Sequence, residues 1–253
     1  MTHPLPPVLR QFICRHGTRE EHRPGESLFP TTQVTDFLYV ERGLTGRIAS
    51  TLDGQSGSGA MAMSAPHRLA AGNLNWITHR PAIGRYVTLS HAVIYRIAHV
   101  QMAALLEEAP REILWALLTH IEYAHLSDRL GFSLLALQSS EVRWQALLLA
   151  WAVYFGVIAN EPGKGDVVTM PVPGRRRHIQ QVIGVSSVTL DKLVAAMTEA
   201  GEYARLGEFI RIKASVLQTA HDWMRHGDGD GVLYPRPARV EDLLYGAQEG
   251  LYD

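Results

Sequence analysis

Between Arg175 and Lys213 the chain carries seven basic side chains (Arg175, Arg176, Arg177, Lys192, Arg205, Arg211, Lys213) against four acidic ones (Asp191, Glu199, Glu202, Glu208). That local surplus of three positive charges stands in a 253-residue chain whose formal net charge is −1. A polyanion would be attracted to this patch, while a generally basic, nucleic-acid-coating protein is excluded. Ser186, Ser187 and Thr189 add three hydroxyls in four positions. Serine is a natural N-cap, and the free amides of a helix N-terminus beside small hydroxyls suit phosphate oxygens.

The elements that must hold these groups follow from spacing. Ile179, Val182 and Ile183 mark one face of a short helix. Gly184 follows, where a tight turn wants a residue free to take positive φ. Leu190, Leu193, Val194 and Met197 give a second helix its buried stripe, and Gly201 lies at its end. Tyr203–Leu206 and Phe209–Ile212 alternate around Leu206-Gly207-Glu208 as a small hairpin. A plain helix pair with a solvated charged face would share the apolar spacing. The turn glycine, the capped second helix, the hairpin and the positive patch together point to a winged helix-turn-helix. In that motif the second helix enters the major groove of duplex DNA.

The rest of the chain divides by pattern. Residues 1–98 read as strands and turns, with Pro24-Gly25 and Asp53-Gly54 as turns and Gly54 to Gly59 as a Gly/Ser-rich loop. Phe37–Val40 is a short strand, and Arg85–Ile97 holds one or two more. A barrel or jelly-roll is expected. Residues 99–138 turn helical. Met102, Leu105 and Leu106 form a piece closed by Pro110. Ile113, Leu114, Leu117, Leu118, Ile121 and Ala124 continue at three-to-four spacing, as core or as a dimer seam. Residues 139–220 form the helix-turn-helix domain, opening with a helix over Glu141 to Val157 that Ser140 can cap. Val167–Val172 is a short strand, and 221–253 is a tail. The fold class is α+β: a β-roll sensor, a long central helix and a C-terminal winged helix-turn-helix.

Composition bounds the setting. Apolar residues are 46% and charged residues 19%, enough for two cores. The single cysteine, Cys14, rules out an intramolecular disulfide and a four-cysteine cluster, and a reducing cytoplasm is expected. Met1 to Arg10 lacks a signal-peptide core. The apolar run Ala146–Ala159 falls short of the roughly twenty residues of a membrane span. No membrane association is expected.

The stretch RRHIQQVIGVSSVTLDKLVAAMTEAGEY resembles the recognition segment of the CRP/FNR family of bacterial regulators, at Arg176, Ile179, Gly184, Ser186, Thr189, Leu193 and Gly201. RPGESLFP and FLYVERGLTGRI resemble that family's N-terminal turn and strand pair, and Pro110–Gly131 falls at its dimerisation helix. The resemblance implies a homodimeric transcriptional regulator acting on a two-fold-symmetric operator in promoter DNA, with RNA polymerase as a further partner. It assigns Ser186 and Thr189 to phosphates and Ser187, Val188 and Lys192 to bases. Arg175, Arg176, Arg177 and Arg205 complete the expected DNA-binding set.

The chain departs from the family in both halves. Ser187-Val188 replaces an Arg-Glu pair, Lys192 replaces an arginine, and Gln180 stands where the family has Ala or Gly. In cyclic-nucleotide-binding members an acidic residue holds the ribose and an Arg-Ser pair holds the phosphate. Here Gly72-Asn73-Leu74 and Ala82-Ile83 stand in those places, with Arg80 and Arg85 as the nearest cations. A response to cyclic nucleotides is therefore not expected, and neither is a cofactor. His79 and His91 are the candidates for a haem ligand, although a lone strand histidine is ordinarily structural.

Two further readings follow from short motifs. Arg15-His16-Gly17-Thr18-Arg19 resembles the core of the histidine acid phosphatase motif, with His221-Asp222 as its acid pair. Glu21 stands at that motif's proline, and the parallel α/β order it needs is missing, so no enzyme is expected. Asp228-Gly229-Asp230-Gly231 echoes a calcium loop but has Arg239 at the glutamate position, so no metal is expected. A further alternative keeps the regulator fold as an interaction module with impaired DNA reading.

Overall fold

The computed structural model describes residues 4–50, 56–72, 74–78, 80–161 and 165–227. Asp53-Gly54, Asn73, His79, Asp228–Gly231, Arg239 and the remainder of the tail lie outside the described residues. The chain forms two compact units, Met1–Asp128 and Arg129–Asp253.

The first unit opens with helix α1 (Pro7–His16), where the sequence pattern predicts strands alone. Proline suits a first helical turn because its missing N–H would be unsatisfied there anyway. Leu9 and Ile13, four residues apart, are fully buried on one face of α1. Strands β1 (Thr18–His22), β2 (Gln33–Val34), β3 (Asp36–Arg42), β4 (Thr45–Ser50), β5 (Ser56–Ser64), β6 (Arg68–Ala71), β7 (Ala82–Ile83), β8 (Arg85–Thr88) and β9 (Ala92–Ala98) follow. They make antiparallel sheets in the orders β1-β9-β3-β6, β5-β4-β8 and β2-β7. The Gly/Ser-rich loop expected over Gly54–Gly59 is corrected: from Ser56 onward it is strand β5, paired with β4. Glycine and serine can follow an extended path when a neighbouring strand supplies the hydrogen bonds.

Strand β3 shows why Phe37-Leu38-Tyr39-Val40 is apolar without alternation. Phe37 and Tyr39 join a core with Leu5, Leu9, Ile13, Met102 and Leu117. Leu38 points the other way, into a core with Leu28, Val34, Tyr86 and Ile94. Both faces of the strand are buried. Helices α2 (His99–Glu108) and α3 (Arg111–Leu137) complete the helical pattern. Of the stripe that could be core or seam, Ile113, Leu117 and Ile121 are buried core. Trp115 and Tyr123 are exposed elsewhere on α3.

In the second unit, α4 (Ser140–Phe155) is capped by Ser139, not Ser140, through a hydrogen bond from the Val142 amide. The apolar run divides at Gly156: α4 ends at Phe155 and strand β10 (Val157–Glu161) begins. Strand β11 (Gly165–Pro171) pairs with β10. Helices α5 (Arg176–Ile183) and α6 (Ser187–Glu199) and strands β12 (Tyr203–Leu206) and β13 (Phe209–Lys213) follow. The sheet of this unit has the order β10-β11-β13-β12. Trp151 of α4 donates its indole N–H to the Pro171 carbonyl at 2.9 Å, tying helix to sheet. Helix α7 (Gln218–Gly227) carries regular structure beyond residue 220, with Ala220, His221 and Met224 buried.

Candidate nucleic-acid interface

The turn between α5 and α6 is set by Gly184, whose φ of 64° and ψ of 48° lie in the left-handed region. Its N–H and that of Val185 both bond to the Gln180 carbonyl, so the chain stops being helical within one residue. The Gln180 side chain sits half-buried there.

Helix α6 begins at a serine cap. Ser186 Oγ accepts from the Thr189 amide at 3.1 Å and lies 2.9 Å from Thr189 Oγ1. The two hydroxyls assigned to phosphate by resemblance therefore stand together at the helix N-terminus, at the positive end of its dipole. Ser186→Ala should destabilise this unit by about 1 kcal/mol. Chemical denaturation would check this, and no loss would contradict the cap's role.

The cations divide into distinct arrangements. Arg176 forms an ion pair with Asp191 and also donates to the Ser187 carbonyl at 3.3 Å, so it braces α5 against α6. Arg177 donates its Nε–H to His178 Nε2 at 3.1 Å. Burial, then the charges of Arg177 and Arg175, holds the His178 imidazole below its ordinary pKa, which favours the neutral ring that can accept this bond. Arg205 donates to the Gly207 carbonyl at 3.1 Å within the wing turn. Arg175 stands at the N-cap position of α5 without a side-chain capping bond and is exposed, as is Lys192. On α6 Ser187 is exposed and Val188 is 61% exposed, while Leu190 and Met197 are buried below. The expected set is thus gathered on one motif. The bracing by Arg176 depends on how two helices cross, which spacing alone does not reveal.

In the first unit, the stretch matched to a ribose contact has Gly72 buried against the Phe37 ring. Ala82-Ile83 is strand β7, Ala82 buried and Ile83 exposed. Arg80 and Arg85 are exposed. The cation beside this strand is one that sequence reasoning missed: Arg47 of β4, whose side chain lies against Gly84 and Tyr86. Its guanidinium is held by Asp128 of α3 at 2.8 Å. Burial works against the Arg47 charge, but Asp128 and the Tyr86 hydroxyl outweigh it and raise its pKa. No local signal joins residues 47 and 128.

His91 lies exposed in the β8–β9 turn and not within a strand. The phosphatase-like motif straddles the end of α1 and the start of edge strand β1. His16 packs on Phe12 with ring centroids 4.8 Å apart, and Arg19 is paired with Glu21 at 2.8 Å. Every strand pairing among the described residues is antiparallel, unlike the scaffold that motif needs. His221 lies 3.3 Å from the Asp222 carboxylate in α7, in the other unit. Among the described residues no three His, Cys, Asp or Glu side chains gather as a metal site. No helix among them is long and apolar enough to cross a membrane.

A strand roll, a long helix and a winged helix-turn-helix in this order make the fold of the CRP/FNR-type regulators. FixK2 from Bradyrhizobium japonicum is similar at a TM-score of 0.62 and 15% identity, over 81% of this chain and 96% of that one. A double variant of CooA from Carboxydothermus hydrogenoformans matches at 0.62 and 14% identity, over 88% and 96%. A CRP/FNR-family transcriptional regulator from Thermus thermophilus matches at 0.58 and 14% identity, over 81% and 98%. At such identities the likeness is one of fold. No family model matches the chain. No curated protein matches it either.

Proposed function

We propose that this chain is a sequence-specific DNA-binding transcriptional regulator that acts as a homodimer and does not respond to cyclic nucleotides. The observation that carries the reading is helix α6: its serine-capped N-terminus, with Ser187, Val188 and Lys192 exposed, is held against α5 by the Gly184 turn. Exposed Trp115 and Tyr123 on α3 supply apolar surface for a dimer seam. The absence of a carboxylate at 72–74 and of an arginine at 82–83 supports the lack of a nucleotide response. So does the engagement of Arg47 by Asp128. RNA polymerase is a further partner in this reading, and the cytoplasm is its setting.

Promoter-DNA affinity should fall steeply with salt, as phosphate neutralisation requires. Joint replacement of Ser187 and Lys192 by alanine should weaken specific binding about tenfold or more, as lost base contacts do. Binding to random DNA should change far less. Full specific affinity in the double variant would overturn the assignment of these readers.

A further inference from the structure

The outer face of α6 has an unusual chemistry for reading bases. Arg176, the arginine nearest its first turn by contact, is engaged with Asp191 and the Ser187 carbonyl. Within Ser187–Glu199 there is no arginine, asparagine or glutamine. Those side chains, with lysine, read guanine or adenine through paired hydrogen bonds, and Lys192 is the one such group on α6. Lys192 is a flexible point charge and cannot form a planar fork. What the first turn does present is Val188, 61% exposed, between the Ser187 and Thr189 hydroxyls. A β-branched side chain in a helix is confined almost to one rotamer, so its methyls are fixed in place before any partner arrives. The apolar feature of a base edge in the major groove is the C5-methyl of thymine.

We infer that Val188 reads a thymine C5-methyl in each half-site, so that a methyl contact beside those of Ser187 and Lys192 stands in place of an arginine–guanine fork. The inference deepens the DNA-reading proposal above and rests on it. It carries a chemical consequence. 5-Methylcytosine presents the same methyl at the same groove position, so a methylated C·G pair should partly replace the T·A pair there.

The test uses the full chain and a binding site selected from randomised duplexes. Each thymine of a half-site is replaced in turn by deoxyuracil, which removes only the methyl. One position per half-site should weaken binding about fourfold, and changing both half-sites about fifteenfold, from the transfer free energy of one methyl. V188S should bind the thymine and uracil sites equally while melting at the wild-type temperature. 5-Methylcytosine in place of cytosine at the sensitive position should regain a similar factor. Binding with no methyl-sensitive position, or undiminished discrimination by V188S, overturns this inference and leaves the DNA-reading proposal standing. Failure to bind any duplex overturns that proposal and this inference with it.

Discussion

Replacing Gly184 by valine should destabilise the C-terminal unit by about 2–4 kcal/mol and abolish specific DNA binding. Two effects add. The left-handed conformation costs an ordinary L-residue about 1–2 kcal/mol, and a β-branched one more. A Cβ at this position would also lie 3.2 Å from Leu135 Cδ2 and 3.3 Å from Arg143 Nη1, so packed neighbours must shift. Gly201 separates the two effects. Its φ is 66° with nothing within 4 Å of a Cβ, so Gly201→Ala should cost about 1 kcal/mol from conformation alone. Gly184→Asn should be milder than valine, because asparagine tolerates the left-handed region. Denaturant melts with parallel binding titrations would measure all three. A Gly184→Val protein as stable as wild type would refute the turn geometry.

Arg96→Met should destabilise the N-terminal unit by about 2–3 kcal/mol. Arg96 meets Glu20 through two nitrogens at 2.8 and 3.0 Å, Asp36 at 2.8 Å and the Leu28 carbonyl at 2.8 Å. Its guanidinium also lies over the Phe29 ring at 5.0 Å. The network joins β1, β3 and β9 with the turn before β2, and methionine would leave two carboxylates facing each other. The side chains are 19–27% exposed, so water moderates the loss. The network also sets a pH dependence. Burial raises the Glu20 carboxyl, but hydrogen bonds from Arg96 and His22 outweigh it and leave its pKa below the ordinary value. A carboxylate depressed in the folded state contributes stability above its unfolded pKa, near about 4.3. That contribution is lost as pH falls through the folded value. The wild-type melting temperature should therefore drop in this acidic window, and Arg96→Met should flatten the drop. Parallel pH profiles for the two proteins would contradict this account.

The winged motif is legible in the sequence because its signals are local. Gly184, Ser186 and the Leu206-Gly207-Glu208 turn each dictate backbone shape within a few residues, and the hairpin follows. Helix α1 is hidden: Leu9 and Ile13 give the right four-residue spacing, but over only ten residues that open on Pro6-Pro7 and run into the RHGTR motif. Strand β10 is hidden for the opposite reason. A helix buried all round and a buried strand are both continuously apolar, and Gly156 is the only break between them. The pairs Arg47–Asp128 and Arg96–Glu20 join residues 81 and 76 positions apart, which no periodicity encodes. The occupation of Arg176 by Asp191 belongs to the same class. Its sequence position marks it as a cation for DNA, whereas its contact is inside the protein.

Selection of bound sequences from randomised duplex DNA tests the central claim most directly. The account predicts a two-fold-symmetric site whose half-sites lie one helical turn apart, as two copies of α6 in successive major grooves require. Recovery of no enriched sequence would contradict it and leave the same fold as an interaction module that does not read DNA.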